Sequence, residues 1–191
     1  MNLRLISFFI MIFFITGCAP TGIVGIPTSI ADRRTAGVQL EDESIELKAL
    51  YEINQIQGEM HTNVLSYNKN VYILGEVSSE ELKTQIEEKI SSIKEIKSIT
   101  NELLVGKNST IKSRAKDVAI TTNVKALLVK DEKKSNLSAL HVKVITERQI
   151  VYLFGLLNTN EAAEAEKISK RAKGIISVKS FFEIDDSLKN N

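Results

Sequence analysis

Two nearly identical apolar runs punctuate the chain, VYILG at 71–75 and VYLFG at 151–155, and each has the bulk and branching of a buried strand. Three residues beyond each run comes a helix start, Ser78-Ser79-Glu80-Glu81 and Asn158-Thr159-Asn160-Glu161. Ser78 or Asn158 is the expected N-cap, with Glu81 or Glu161 reaching back from the third position. Helically spaced apolar residues follow: Leu82, Ile86, Ile90 and Ile93 in the first copy, and the thinner ridge Ala162, Ala165, Ile168 and Ala172 in the second. Each copy closes with an alternating strand, Ile99, Asn101, Leu103 and Val105 against Val178, Ser180, Phe182 and Ile184. Upstream, Asp42, Ile45, Ala49 and Ile53 match Asp117, Ile120, Val124 and Leu128, which predicts a first helix capped by the Asp. Strand pairs bracket tight turns at Asn68-Lys69 and Glu147-Arg148, with Val64 and Val144 pointing inward.

The pattern therefore predicts an internal repeat. Each copy runs helix, strand, strand, helix, strand. This is an α+β class in which two helices pack on a three-stranded mixed sheet. The second copy has extra residues between its first helix and its hairpin, within KDEKKSNL. Residues 106–113, GKNSTIKS, form a short polar link.

Outside the repeat, residues 1–17 have the layout of an export signal: Arg4, an apolar run from Leu5 to Ile15, then Thr16 and Gly17. The run is too short to span a bilayer core of roughly 30 Å. It ends at Cys18, the one cysteine of the chain, so no intramolecular disulfide is available. Ile15-Thr16-Gly17-Cys18 resembles the lipobox of bacterial lipoprotein precursors. That resemblance implies a diacylglycerol group on the Cys18 sulfur, cleavage before it, and an N-acyl chain on the new terminus. Several chains anchor stably where one is marginal, at ~0.8 kcal/mol per buried methylene. Ala19 in place of an Asp implies the outer membrane, with the protein facing the periplasm. Residues 18–40 then form the lipidated Cys and a tether containing both prolines, Pro20 and Pro27.

The repeat resembles the BON domain of bacterial envelope proteins, which has the same element order. The second copy matches better, from ITTNVKALL through VYLFG to Gly174-Ile175-Ile176-Ser177-Val178, which mirrors the family's Gly-Val-x-x-Val. In the first copy Glu95 stands where that Gly is usual, so an altered turn is expected there. The segment ADRRTAGVQLEDESIELK at 31–48 is similar to the one preceding the first module in dual BON-domain outer-membrane lipoproteins. Expected boundaries are a signal peptide at 1–17, the lipidated tether at 18–40, a first BON domain at 41–106 and a second at 113–186.

Charge narrows the partners. Basic and acidic residues number 25 and 24, and removal of Arg4 with the signal leaves a formally neutral chain. A polycation for nucleic acid is excluded by that balance, and without Trp there is little for base stacking. No catalytic motif is present, so no enzyme and no metal or cofactor are expected. The two histidines, His61 and His141, fall at or near the first strands, outside any HExxH-like pattern. Gly75 and Gly155 end strands before capped helices. Asp32-Arg33-Arg34 is expected to pack locally on the first unit, against Glu41 or Asp42, in preference to meeting lipid headgroups.

One helix face carries a binding argument. With Ile120, Val124, Leu127 and Leu128 inward, Ala119, Ala126 and Val129 turn to the opposite flank, among Lys116, Lys125, Lys130, Lys133 and Lys134. Small apolar residues rimmed by lysines suit an anionic bilayer surface. The family resemblance implies the same: binding of anionic phospholipids such as phosphatidylglycerol or cardiolipin through this helix, a role in outer-membrane integrity, and localisation at division sites. Ala119 occupies the position where relatives present a large aromatic, which implies shallower, more salt-sensitive binding. The alternative is an adaptor that docks onto outer-membrane assembly machinery or cell-wall amidase regulators.

Overall fold

The computed structural model describes residues 32–188. The export signal, Cys18 and the tether up to residue 31 lie outside the described residues. In chain order the elements are α1 (Ala36–Asn54), β1 (Met60–Tyr67), β2 (Asn70–Val77), α2 (Glu80–Ser91), β3 (Ser98–Asn101), β4 (Leu104–Val105), α3 (Ile111–Ser135), β5 (Lys143–Glu147), β6 (Ile150–Leu157), α4 (Thr159–Ser169) and β7 (Ser177–Ile184). Each module is thus α+β, two helices on one face of a mixed sheet. In the first, β2 is central, antiparallel to β1 and parallel to β3 and β4. In the second, β6 is central between antiparallel β5 and parallel β7.

The helix-facing cores follow the sequence pattern. Ile45, Ala49 and Ile53 of α1 and Leu82, Ile86 and Ile90 of α2 close over Val64, Val71, Ile73 and Val77. Their counterparts Ile120, Val124, Leu128, Ala165, Ile168 and Ala172 close over Val144, Val151, Leu153 and Leu157.

The other faces of the two sheets pack on each other. Leu65, Tyr67, Tyr72 and Leu74 of the first sheet meet Tyr152 and Phe154 of the second, with Ile145, Ile150, Leu156 and Phe181 around them. Tyr72 lies 4.8 Å from both Phe154 and Phe181, ring centre to ring centre, and Phe154 stacks on Phe181 at 5.6 Å. Strands β2 and β6 are therefore covered on both faces, which is why their apolar runs are unbroken. The layers are helices, sheet, sheet, helices.

Four local expectations are corrected. Thr35 and Thr110 cap the first helices, accepting from Val38 and Ser113 amides, so α1 and α3 start well before Asp42 and Asp117. The two Asp residues are buried within their helices and grip the hairpin turns. Asp42 accepts from the amides of Asn68 (2.8 Å) and Lys69 (2.7 Å), and Asp117 from those of Arg148 (3.1 Å) and Gln149 (2.8 Å). The second turn is consequently Arg148-Gln149, since Glu147 pairs with Ile150 in the ladder. All four turn residues are left-handed, with φ between 50° and 67°. Such a conformation is uncommon outside Gly, and here the carboxylates hold it.

Ser79 rather than Ser78 caps α2, while Asn158 caps α4 in a full capping box with Glu161. Finally, the last strand of the first module is interrupted. The Asn101 side chain accepts from the Leu103 amide, turning Leu103 into the core and leaving Val105 partly exposed. Gly174 has φ of 83° at the turn before β7; Glu95 adopts no left-handed conformation and instead pairs with Lys48 of α1.

Candidate membrane-binding face

Helix α3 has 25 residues, which makes it about 37 Å long at ~1.5 Å per residue. Asn136, left-handed at φ 51°, terminates it. Its inner line Asp117, Ile120, Val124 and Leu128 is buried. The outer line is apolar as well: Ile111, Val118 and Val129 are 86%, 66% and 61% exposed, and Ala115, Ala119, Thr122 and Ala126 lie exposed between them. Steps of three and four residues keep these on one side of the helix.

Of the expected site residues, Ala119, Ala126 and Val129 share this outer side, with Lys130 and Lys133 exposed beside them. Lys125 stands at its edge, where it lines a cleft with Val129. Lys116 turns away, its ammonium donating to the Gln149 side chain and its stem passing near Gly174. The structure adds Ile111 and Ala115, which a helix started at Asp117 leaves out, and Val118, which follows that start directly. The acids of α3 are largely engaged elsewhere: Asp117 with the hairpin turn, Asp131 with Arg171. The lysines thus dominate the exposed charge.

The segment before α1 is fixed at the joint between modules. Arg34 pairs with Asp32 (2.6 Å) and Asp42 (2.7 Å) and lies 3.9 Å over the Tyr67 ring. That contact with Asp42 is as the sequence suggests. Arg33 does something the sequence did not reveal: it crosses to the second module, donating to both Glu161 oxygens (2.6 and 2.8 Å) and to the Leu156 carbonyl (3.0 Å). Replacing Arg33 with Ala is expected to lower stability by ~1–3 kcal/mol, since Glu161 is buried and bidentate pairs are strong. Hydrogen exchange should then speed up at residues 32–38 and at the start of α4. Unchanged exchange at α4 would contradict the clasp.

On another side of the joint lies a titratable cluster. Burial lifts the Glu147 carboxyl to about 7, against a 3.5 Å hydrogen bond from Asn63; Glu76 and Asp117 raise it further and Arg114 lowers it. His61 Nε2 is 3.6 Å away, and burial together with Arg114 pushes that imidazole below its ordinary value. A carboxyl whose pKa rises on folding holds its proton in the folded state alone between the ordinary Glu value, ~4.3, and about 7. Its contribution to stability is complete below that window and lost as pH rises through it. Glu147→Gln is therefore expected to raise the melting temperature at pH 8, corresponding to ~1–3 kcal/mol, with most of the gain gone at pH 5. A pH-independent difference would show that Glu147 does not titrate there.

Among the described residues, no group of three or more His, Cys, Asp or Glu side chains is placed to hold a metal ion. No described helix is long and apolar enough to cross a membrane.

Comparison with known proteins matches the BON domain model twice, at residues 46–107 and 116–186. The chain is also 30% identical over 179 residues to outer membrane lipoprotein DolP of Haemophilus influenzae, covering 91% of each chain. The chain belongs to the dual BON-domain outer-membrane lipoproteins. A second relative of this lipoprotein, the 21 kDa hemolysin of Actinobacillus pleuropneumoniae, is 29% identical over 79% of this chain and 78% of its own. Among solved structures, the C-terminal domain of CdsD, from the type III secretion system of Chlamydia trachomatis, matches at 14% identity and a TM-score of 0.28. That match covers 73% of this chain and 96% of that one.

Proposed function

We propose that this lipoprotein, anchored through acylated Cys18 and facing the periplasm, binds anionic phospholipid with the outer face of α3 and so supports outer-membrane integrity, at division sites among others. No catalytic step and no cofactor beyond the acyl chains is part of this proposal. The observation that carries it is the continuous exposed stripe Ile111, Ala115, Val118, Ala119, Thr122, Ala126 and Val129, flanked by lysines whose charge the module leaves available. Apolar side chains of this size reach the interfacial region without deep insertion, and the lysines supply ~1 kcal/mol each near an anionic surface. Phosphatidylglycerol and cardiolipin both meet that requirement.

The test uses vesicles with and without phosphatidylglycerol or cardiolipin and the chain from residue 31 onward. Lys125→Glu, Lys130→Glu and Lys133→Glu together are expected to reduce binding to anionic vesicles at least tenfold, and binding by the unaltered chain should fall as salt rises. Equal sedimentation of the triple variant and the parent with anionic vesicles would remove the basis of the proposal.

A further inference from the structure

Where the polar link leaves the first module, the joint encloses more acid than base. Glu76 of β2, Glu147 of β5 and Asp117 of α3 are all buried, and they come from both modules. Arg114 of α3 is the base that bears on them. His61 of β1 stands 3.6 Å from Glu147, but burial and Arg114 hold its imidazole towards the neutral form. Asn63, also of β1, reaches Glu147 across the joint at 3.5 Å. Arg148, next after Glu147, turns its guanidinium to the Lys107 carbonyl (3.4 Å).

Hydrogen bonding does not absorb the excess acid. Asp117 is engaged by the Arg148 and Gln149 amides. Glu76 accepts the Ser109 amide and hydroxyl on Oε1, while its Oε2 is buried with no hydrogen-bond partner among the described residues. Arg114 Nε and Asn108 Oδ1 are orphaned in the same way. Each such atom favours a rearrangement that admits water.

Three carboxylates beside one guanidinium are compatible with burial while one of them holds a proton. Glu147 is poised to hold it: burial raises its carboxyl to about 7, and its one hydrogen bond, from Asn63, is long. Loss of that proton sets like charges against each other in a joint of low dielectric. The weakest wall then yields. Strands β1, β2 and β5 are held in their ladders and α3 by its own turns, whereas residues 107–109 make no backbone-to-backbone hydrogen bond among the described residues. They are held by Glu76 through Ser109 and by Arg148 through Lys107, and the first of these contacts ends on the acid cluster itself. A segment with so few fixed bonds opens locally before the cores do.

We propose that the link between the modules is a proton-controlled latch. With Glu147 protonated it lies closed over the joint. On ionisation of Glu147, residues 107–110 lift away, water reaches Glu76 and Arg114, and the first turn of α3 is released. The aromatic seam and the Arg33 contact keep the modules together throughout. The latch requires no lipid contact, so it stands apart from the lipid reading.

The experiment is hydrogen exchange on the full acylated chain in nonionic detergent, from pH 5.5 to 8.5, corrected for the intrinsic pH dependence of exchange. Protection at 107–114 is expected to fall at least tenfold as pH rises through about 7, while 71–77 and 150–157 keep theirs. Glu147→Gln should keep the link protected at every pH. Glu76→Gln still offers Ser109 an acceptor but removes a charge that raises Glu147, so the step should move to lower pH. His61→Gln should leave the step in place. Constant protection, a step that survives Glu147→Gln, an unmoved step in Glu76→Gln, or a step lost in His61→Gln would each overturn the latch. Loss of protection across both central strands together with the link would overturn it too, as general unfolding.

Discussion

Phe154→Ala is expected to destabilise both modules at once, by ~3–5 kcal/mol in urea denaturation, the range for emptying a large aromatic site in a packed core. Phe154 is fully buried, on the central strand of the second sheet, and faces away from its own helices. Its ring is in contact range of Tyr72 from the first module and Phe181 from β7. The cavity left by truncation therefore opens between the sheets. Leu153, one residue earlier and equally buried, points into the helix-facing core of the second module. Its replacement by Ala should destabilise that module first. Circular dichroism across the urea range separates the two cases. Phe154→Ala should split a single transition into two, because the modules no longer support each other, and Leu153→Ala should shift the second module while sparing the aromatic seam. A loss below ~1 kcal/mol with one sharp transition for Phe154→Ala would show that the seam contributes little.

Asp42→Ala is the second large effect, expected at ~3–5 kcal/mol, as for removal of one partner from a buried ionic network. One carboxylate accepts from two backbone amides of the Asn68-Lys69 turn, from Ser66 Oγ at 2.7 Å, and from Arg34. Truncation strands the two turn amides and Ser66 Oγ, leaves Arg34 with Asp32 alone, and withdraws what holds two non-Gly residues left-handed. The turn, not the helix, should fail first. Amide exchange at 68–70 should accelerate by orders of magnitude while α1 keeps its helicity. A helix that frays from its N-terminus with the turn intact would instead restore Asp42 as a cap. Asp42→Asn is predicted to be milder, because the amide oxygen still accepts one of the turn amides.

That distinction marks how far the sequence could be read. Repetition and helical spacing identified the modules, the element order and the inward residues Ile45, Ala49, Ile53 and their counterparts, because a core face writes a local period. Asp42 and Asp117 were legible as important but not as turn clamps, since their partners lie more than twenty residues downstream. The Arg148-Gln149 turn has no Gly or Asn to announce it; a distant carboxylate takes the place of local propensity. The sheet-to-sheet seam was hidden for a related reason. Tyr72, Leu74, Tyr152 and Phe154 look like core residues of their own module, and nothing in a strand says which of its two faces meets a helix. On the candidate face, Ala119, Ala126, Val129 and the lysines came from spacing, while Ile111 and Ala115 fell outside a helix begun at Asp117. The link from Arg33 to Glu161 spans 128 residues and has no sequence signal.

That link also decides how the molecule bears a load. Just ahead of α1, two successive residues tie the chain to both modules, Arg33 to the second and Arg34 to the first. Motion of the anchor relative to whatever the protein contacts is thus shared by both modules at their joint, without peeling α1 from its sheet. A pull on the segment before α1 therefore loads the two modules together.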